Sequence, residues 1–331
     1  MKRENNLYQK VCSLENLQLA DQKARKGKSG RYGIVLHDKN RDSNILQLRE
    51  TLLNNEFKTS EYHIFKINAN GKEREIYQLP YFPDRIVHHA ILNILEPIWD
   101  SLFVKYTYAC IKKRGIHSAL YDIKAALKNK AKTTYCLKID IKKYYPSIDH
   151  EVLKSLLRRK IKDAQLLNLI DSIIDTAPGL PIGNYLSQHL SNVYLAYFDH
   201  YIKENKQVKN YFRYADDMII LSESKQYLHE ILSDIKKYFA ENLKLTLKSN
   251  YQIFPVQSRG IDFCGYVFFH THVLLRKSIK KRFSASVSKL SGPLTYAQQC
   301  SISSYNGWAV HCNSRNLLKK INNEIKRRSA A

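Results

Sequence analysis

The chain has 331 residues and a formal net charge of +24, with 54 Lys and Arg against 30 Asp and Glu. A chain of this length exceeds the usual size of one domain, so two or three lobes are expected. The strong positive charge favours a polyanionic partner, and nucleic acid is the first candidate. The sequence has no run of roughly 20 apolar residues, as a membrane helix needs, and its six scattered cysteines form no Cys-x-x-Cys pair. We therefore expect a cytoplasmic protein with no membrane partner.

The first part of the chain is predicted to contain helices and one strand pair. Apolar residues recur at helical spacing over residues 7–24 and 44–53. Residues 61–67 and 73–78 are predicted to be strands joined by a turn. A helix is predicted over 84–95, with Asp84 as its cap.

Alternation marks a strand over residues 135–141. Leu137 and Ile139 lie on one face, whereas Lys138 and Asp140 lie on the other. Three helices, a hairpin and a further helix follow, predicted at 151–161, 166–174, 186–202, 211–221 and 225–239. This order of elements is typical of an α+β sheet covered by helices on one side.

The last part of the chain is predicted to be a strand pair followed by basic helices. The strands are expected at 261–269 and 273–276, and residues 278–331 are expected to be helical. Three basic clusters, at 280–282, 319–320 and 326–328, lie in this helical part. One such cluster is usually a solvated face, but several together favour binding to a nucleic acid backbone.

Two adjacent carboxylates, Asp216 and Asp217, lie at the tip of the predicted hairpin. Close like charges oppose each other's ionisation, so the pair favours a bound divalent metal. Asp140 leaves its strand where it can approach the same edge of the sheet. Three converging acids suit two Mg²⁺ ions and nucleotidyl transfer. The alternatives are a helix or turn cap at Asp140 and an exposed turn at Asp216 and Asp217.

These motifs resemble those of reverse transcriptases. Tyr214-Ala215-Asp216-Asp217 is similar to their catalytic hairpin, and residues 137–150 resemble their first catalytic strand. Leu79-Pro80 with residues 84–90 resembles the fingers of the bacterial branch that includes group II introns. Residues 260–266 resemble the primer grip, with Phe263, Gly265 and Tyr266 at its centre.

The resemblance implies a fold and a metal site. The fold is an α+β right-hand polymerase with fingers, an RRM-like palm sheet covered by helices, and a helical basic thumb. Asp140, Asp216 and Asp217 would be the catalytic and metal-binding acids, with the backbone carbonyl of Ile141 as an added ligand. They would hold two Mg²⁺ ions, for which Mn²⁺ can substitute. Lys248 is either a general acid for pyrophosphate or an exposed structural lysine.

The resemblance also implies residues that bind the incoming nucleotide. Tyr145 would exclude a ribonucleotide 2′-hydroxyl, and the alternative is core packing beside Tyr144. Residues 108–117 resemble the loop that holds the triphosphate, although Ile111 stands where arginine is common. The phosphate contacts then fall to Lys112, Lys113 and Arg114. Arg114 is favoured because a guanidinium can grip phosphate oxygens bidentately.

The segment 179–188 carries the signal for a subfamily. Many reverse transcriptases have glutamine just before the glycine at 183, where it positions the nascent base pair. Ile182 cannot form that hydrogen bond, so low fidelity is predicted. Ile182-Gly183 followed by Ser187-Gln188 is similar to the signature of diversity-generating retroelement reverse transcriptases, which make errors at template adenines. Ile182 and Gly183 would contact the nucleotide, and Ser187 and Gln188 would act on template and fidelity; the alternative at Ile182 is neutral drift.

The resemblance therefore implies an RNA-directed DNA polymerase that makes adenine-mutagenised cDNA for targeted protein diversification. Its partners would be template RNA, the cDNA or primer strand, dNTPs and a small basic accessory protein. The predicted domains are a helical N-terminal extension (1–60), fingers (61–134), a palm with helical segments that complete the fingers (135–277) and a thumb (278–331). The same-fold alternatives are a retron or phage-defence reverse transcriptase and a group II intron-type enzyme. A non-catalytic RNA-binding scaffold is the alternative of a different class.

Overall fold

The structure is a computed structural model that describes residues 3–69 and 71–329 of the chain. Its internal contacts divide the chain into two compact units. The first comprises Met1–Lys105, Ile141–Asn205 and Ile235–Leu247, and the second comprises Tyr106–Asp140, Lys206–Asp234 and Lys248–Ala331. The predicted boundaries of extension, fingers, palm and thumb stay a prediction.

Helices and strands alternate along much of the chain. In chain order the helices are α1 (Tyr8–Val11), α2 (Leu14–Arg25), α3 (Tyr32–Asp38), α4 (Arg41–Leu53), α5 (Ile86–Asp100), α6 (Ile116–Leu127), α7 (His150–Arg158), α8 (Ala164–Ile174), α9 (Tyr185–His200), α10 (Lys225–Tyr238), α11 (Val256–Arg259), α12 (Lys277–Ser288), α13 (Tyr296–Ala309) and α14 (Arg315–Ser329). The strands are β1 (His63–Ala69), β2 (Lys72–Gln78), β3 (Tyr135–Asp140), β4 (Asn210–Tyr214), β5 (Asp217–Ser222), β6 (Gln252–Pro255), β7 (Ile261–Phe263), β8 (Tyr266–Phe268) and β9 (Val273–Leu275).

The N-terminal helices of the first unit differ in detail from the prediction. One helix was predicted over 7–24, but α1 and α2 are separated at Ser13. The Ser13 hydroxyl accepts a hydrogen bond from the Asn16 N–H (3.2 Å) and caps α2, which is a preferred role of serine. Helix α3 lies between the two predicted helices and was not predicted.

Asp21 is the buried charge at the centre of these helices. Its carboxylate accepts hydrogen bonds from Arg25 (2.8 and 2.9 Å), Arg41 (2.7 Å) and the Tyr81 hydroxyl (2.5 Å). Burial alone would raise the pKa of Asp21, but the hydrogen bonds from Arg25, Tyr81 and Arg41 hold it below its usual value. Asp21 thus connects α2 to α4 and to the segment that precedes α5.

The predicted hairpin of β1 and β2 is confirmed. The strands pair antiparallel from His63 opposite Gln78 to Ala69 opposite Lys72. Asn70, in the predicted turn, lies outside the described residues.

The prediction that Asp84 caps the helix over 84–95 is wrong, because α5 begins only at Ile86. Asp84 lies in the turn before α5, and its carboxylate accepts a hydrogen bond from the Ser60 N–H (3.0 Å). Asp84 therefore holds the chain that leads into β1 against the start of α5.

A four-stranded antiparallel sheet forms the centre of the second unit, in the order β4-β5-β3-β6. Helix α6 packs against it, with Leu120 and Ile123 in one apolar cluster with Cys136 of β3 and Ile219 of β5. The predicted sheet with helical cover is confirmed for this unit.

The strand pair predicted after Gly260 is a three-stranded meander of β7, β8 and β9. The predicted continuous strand over 261–269 is wrong because the chain turns at Cys264 and Gly265, which have φ of 48° and 83°. Helices α12, α13 and α14 follow and share a core that includes Phe283, Ile302 and Ile321. The helical prediction for 278–331 is confirmed up to Ser329; residues 330 and 331 lie outside the described residues.

None of the helices within 3–69 and 71–329 combines the length and the apolar character that crossing a membrane requires.

Candidate active site

Two of the predicted catalytic acids are cross-strand partners. Asp140 ends β3 and Asp217 begins β5, and the two residues face each other in the antiparallel register. Asp216 lies in the tight turn between β4 and β5, where Ala215 has a φ of 53°. The buried Arg213 guanidinium donates a hydrogen bond to the Ala215 carbonyl (3.0 Å) and supports this left-handed turn. The structure therefore brings three carboxylates to one end of the sheet.

The three carboxylates are crowded and partly removed from water. Burial, followed by the charge of Asp140, raises the pKa of Asp216. Burial also raises the pKa of Asp217 to about 6; the Lys138 ammonium opposes this shift, and the carboxylates of Asp140 and Asp216 add to it. Within the described part of the chain, Oδ1 of Asp140 and Oδ1 of Asp217 are buried and have no hydrogen-bond partner. The acids therefore lack part of the positive charge and hydrogen bonding that would stabilise their ionised form.

Two lysines lie on these acids. The Lys248 ammonium is 2.6 Å from Oδ2 of Asp140, and the Lys138 ammonium is 3.7 Å from Oδ2 of Asp217. The sequence allows Lys248 to be either a general acid or an exposed structural lysine, and in the structure it is an ion-pair partner of Asp140. Lys138 was not predicted as a site residue, although its position two residues before Asp140 places both on one strand face.

The three acids supply oxygen ligands that suit a divalent cation, but their side chains are not arranged as a complete metal site. In residues 3–69 and 71–329, no three His, Cys, Asp or Glu side chains are grouped so as to hold a metal ion as they stand. The two unpartnered carboxylate oxygens of Asp140 and Asp217 are nevertheless the hard ligands that Mg²⁺ prefers. Ile141 pairs with Leu247 in an isolated β-bridge of the first unit, and its role as a carbonyl ligand stays a prediction.

The predicted phosphate-binding loop runs beside the hairpin of β4 and β5. The Tyr108 N–H donates to the Arg213 carbonyl (2.8 Å), and the Arg213 N–H donates to the Tyr106 carbonyl (3.0 Å). Both hydrogen bonds attach the start of the loop to β4. The loop therefore begins next to β4, the strand that leads to Asp216.

The backbone turn in this loop places Ile111 in the interior, which explains why an apolar residue occupies this position. The Arg114 N–H donates to the Ile111 carbonyl (3.1 Å) and closes a tight turn in which Lys113 has a φ of 63°. Ile111 is buried, Lys112 and Lys113 are exposed, and Arg114 is half-buried. Ile111 therefore belongs to the interior, while the three cations of the turn lie at or near the surface.

Tyr145 belongs to the first unit and is half-buried. Its ring packs edge-on to the buried Tyr144 at 5.7 Å, and its hydroxyl lies 3.3 Å from the Ser191 hydroxyl. Its backbone carbonyl accepts from the Leu180 N–H (2.9 Å), and Gly179 lies so close that a Cβ there would collide with that carbonyl. Tyr145 is thus fixed against the segment that contains Ile182.

Ile182 and Gly183 lie against strand β2 in the first unit. The Tyr77 N–H donates to the Ile182 carbonyl (2.8 Å). Gly183 has a φ of 122°, and a Cβ on it would lie 2.6 Å from the Tyr77 carbonyl oxygen. A glycine is therefore required after Ile182, whose own side chain is half-buried.

Ser187 and Gln188 lie in the first turn of α9 and differ in exposure. Ser187 is buried, whereas Gln188 is exposed. The Gln188 carbonyl accepts a hydrogen bond from the Ser191 hydroxyl (2.8 Å). Of the two predicted template residues, Gln188 presents the side chain that a ligand can reach.

The predicted primer-grip residues form a turn with a buried base. Phe263 and Tyr266 are fully buried, and the Tyr266 hydroxyl donates to the Trp308 carbonyl (3.0 Å). Gly265 lies in the turn between them against the Trp308 ring and Ile279. The two aromatic side chains hold the turn, so a primer contact here would involve its backbone.

We expect Gly265→Ala to destabilise the second unit by about 2–4 kcal/mol, because the new methyl group meets Trp308 and the backbone has a positive φ. Denaturant unfolding measures this loss. The control is Gly307→Ala in α13, where a Cβ meets no atom within 4 Å and alanine should add about 0.5–1 kcal/mol. Equal effects of the two changes would contradict the packing described for Gly265.

Comparison with known proteins agrees with this geometry. The model of the family "Reverse transcriptase (RNA-dependent DNA polymerase)" matches residues 64–268, more than half of the chain. Protein YkfC of Escherichia coli K12 is 27% identical over 276 residues, which cover 70% of this chain and 71% of that protein. The retron Ec73 reverse transcriptase of E. coli is 30% identical over 202 residues, covering 56% of this chain and 62% of the relative.

Other proteins that match are considerably longer than this chain. The group II intron-encoded protein LtrA of Lactococcus lactis subsp. cremoris is 29% identical over 148 residues, or 41% of this chain and 24% of that protein. The structure of apo telomerase from Candida tropicalis matches with a TM-score of 0.52 at 14% identity, covering 75% of this chain and 51% of that one. This likeness confirms the expected mixed helix and strand polymerase fold. The chain belongs to the reverse transcriptase family, the RNA-dependent DNA polymerases.

Proposed function

We propose that this protein copies a template RNA into cDNA by Mg²⁺-dependent nucleotidyl transfer, and that its errors are concentrated at template adenines. The observation that supports polymerisation most directly is the pairing of Asp140 with Asp217 beside Asp216. Adjacent, partly buried carboxylates are what two-metal phosphoryl chemistry needs. The product would serve targeted protein diversification.

Asp140, Asp216 and Asp217 would hold two Mg²⁺ ions, with the Ile141 carbonyl as a further ligand; Mn²⁺ can substitute. When bound, these ions activate the primer 3′-hydroxyl and stabilise the departing pyrophosphate. Lys138 offsets part of the cost of ionising Asp217.

Other residues of the chain bind and select the nucleotide. Arg114 grips the triphosphate of the dNTP, assisted by Lys112 and Lys113. Tyr145 excludes a 2′-hydroxyl by its bulk. The turn at Gly265 supports the primer strand, and the exposed cations of α12 and α14 contact the nucleic acid backbone.

Ile182 supports the mutagenic part of the proposal. An aliphatic side chain before Gly183 cannot hydrogen-bond to the nascent base pair, so mismatches are rejected by shape alone. Ser187 and Gln188 complete the resemblance to diversity-generating retroelement enzymes. A small basic accessory protein and a cytoplasmic location belong to the same proposal, as does the division into extension, fingers, palm and thumb.

The similarity to the retron Ec73 reverse transcriptase and to LtrA favours one alternative, a retron or group II intron-type enzyme with ordinary fidelity. The two functions differ in error spectrum. The deciding experiment extends a DNA primer on a defined RNA with Mg²⁺, with and without the accessory protein, and counts cDNA errors by template base. An excess at adenine supports the mutagenic function, and equal rates at all four bases contradict it. A protein that makes no cDNA would instead be an RNA-binding scaffold.

In the same assay we expect Ile182→Gln to lower the error rate at adenine about two- to tenfold, the value of one added hydrogen bond to the base pair. Total cDNA yield should change little. Ile182→Leu is the matched control, because it keeps an apolar side chain of the same size and should keep the adenine excess. If Gln and Leu give the same spectrum, the side chain at 182 does not set fidelity.

A further inference from the structure

The first turn of helix α6 is directly attached to the predicted phosphate-binding turn. Helix α6 begins at Ile116, immediately after Arg114 and one intervening glycine. The Ser118 hydroxyl donates a hydrogen bond to the Lys113 carbonyl (3.0 Å), and Lys113 is the residue of this turn with a φ of 63°. The position of the Arg114 side chain therefore depends on how the first turn of α6 is held.

His117, in the same helical turn, stacks on His311. The centroids of the two imidazole rings are 3.9 Å apart, and the rings are inclined by 38°. Both side chains are half-buried. Within 3–69 and 71–329, the buried Nε2 of His117 has no hydrogen-bond partner, so ring packing takes a large part in holding this side chain. Burial, followed by the charge of His311, lowers the pKa of His117, which favours a neutral ring that stacks without repulsion.

His311 lies in the junction between α13 and α14, residues 310–314, and this junction is fixed on two further sides. The Tyr121 hydroxyl of α6 is 2.8 Å from Nδ1 of His311. The Asn313 N–H donates to the Val273 carbonyl (2.8 Å), and the Asn313 side-chain oxygen accepts from the Val273 N–H (2.9 Å). The junction is thus attached to both α6 and β9, and it can serve as a fixed support for His117.

Trp308, at the end of α13, brings the same junction next to the predicted primer grip. Its ring lies edge-on to the His117 ring at 6.5 Å and packs against Gly265. Its carbonyl accepts the hydrogen bond from the Tyr266 hydroxyl (3.0 Å). The end of α13 therefore contacts the turn predicted to hold the primer and also the helix that follows the predicted phosphate-binding turn.

We propose that His311 is a positioning residue: by stacking on His117 it holds the first turn of α6, and with it the turn that ends at Arg114, in the geometry that binds the incoming triphosphate. His311 acts only through α6, and all residues of this path belong to the second unit. Catalysis depends on precise placement of substrate, so a small displacement of a phosphate-binding group is costly. The proposal rests on the proposed function of Lys112, Lys113 and Arg114.

The functional test measures primer extension on RNA as a function of dNTP concentration. We expect His311→Ala to raise the KM for dNTP about two- to tenfold, the effect of losing one stacked ring pair. The kcat and the affinity for primer and template should stay within about twofold, because only binding of the nucleotide is weakened. His311→Phe keeps the ring and should restore the wild-type KM, whereas His311→Gln keeps only a polar group near Tyr121 and should behave like His311→Ala.

The matched control is His272→Ala. His272 is also half-buried, belongs to the same unit and stacks on an aromatic ring, that of Phe269 at 4.6 Å. Its loss should leave the KM for dNTP unchanged. If His272→Ala raises the KM as much as His311→Ala does, or if His311→Gln keeps the wild-type KM, the proposal is overturned. His311→Gln also carries the test should His311→Ala fail to fold.

Amide hydrogen exchange of the free protein tests the positioning without any reaction. His311→Ala should speed exchange over residues 109–118 and leave that of α8, in the first unit, unchanged. Unchanged exchange over 109–118 would overturn the proposal, as would a wild-type KM in His311→Ala when Arg114→Ala raises the KM. Faster exchange with a wild-type KM in both variants would instead contradict the proposed triphosphate contact of Arg114 and would still support the positioning by His311.

Discussion

Replacing Asp217 with Asn should lower primer extension on RNA by about a thousandfold or more and at the same time stabilise the protein. The loss of rate follows from the removal of a charge that acts directly on the reacting phosphates. The gain in stability follows because burial, together with Asp140 and Asp216, raises the pKa of Asp217 to about 6. At neutral pH the wild-type protein must ionise a carboxylate that resists ionisation. The side chain is 29% exposed, so after solvent screening we expect a gain of about 1–2 kcal/mol.

The pH dependence of this gain distinguishes it from a general effect. An acid with a raised pKa contributes stability that is complete below its unfolded-state pKa, near 3.8, and is lost as the pH rises through its folded-state pKa, near 6. The stability difference between Asp217→Asn and the wild type should therefore grow between about pH 4 and 6 and then level off. Asp234→Asn, at a half-buried carboxylate paired with Lys206 in the same unit, is the control and should keep full activity. A destabilised Asp217→Asn protein would contradict the strain described for the three acids.

Asp21→Ala should destabilise the first unit by about 3–5 kcal/mol, the usual result of removing one partner from a buried ionic network. Asp21 is fully buried and accepts hydrogen bonds from Arg25, Arg41 and Tyr81. Without it, Arg41 and Tyr81 lose the carboxylate they donate to, and Arg25 keeps only the more exposed Asp38. Thermal and denaturant unfolding followed by circular dichroism measure the change.

The control for Asp21 is Asp38→Ala, which removes the other carboxylate on Arg25. That ion pair is 2.7 Å long, but the Asp38 side chain is 42% exposed, so the loss should stay below about 1 kcal/mol. Because the pKa of Asp21 is held below its usual 3.8, its stabilisation is present above that pH and fades as the pH falls below about 4. A difference between wild type and Asp21→Ala that does not shrink as the pH falls below 3.8 would argue against an electrostatic origin.

Local patterns in the sequence predicted the elements that present the site. The alternation around Leu137, Lys138 and Ile139 predicted β3, and the paired acids between two apolar runs predicted the hairpin of β4 and β5. These signals are local because the period of a strand or a turn is encoded in neighbouring residues. The same reasoning failed at Cys264 and Gly265, where two positive φ values break a run that is apolar on both sides.

Contacts between distant parts of the chain were beyond such patterns. Lys248 forms an ion pair with Asp140, 108 residues away; the resemblance singled out Lys248, but nothing in the sequence predicted that its partner is Asp140. The network of Asp21 depends in the same way on Tyr81, 60 residues away. Arg213 gave a weak signal in the sequence. It is a single cation in the apolar run of β4, and this position indicates a buried guanidinium with a structural role. Tertiary packing decides which side chains come into contact, and local patterns in a single sequence do not reveal these contacts.

The contact between Gly265 and Trp308 also bears on how this family can diverge. The turn between β7 and β8 packs directly against α13, so the residues at 265 and 308 cannot change in size independently. A side chain at 265 meets the ring at 308 and also strains a backbone of positive φ, so a smaller residue at 308 must come first and removes only part of the cost. Among related sequences, we therefore expect these two positions to exchange volume together, even though 43 residues separate them along the chain.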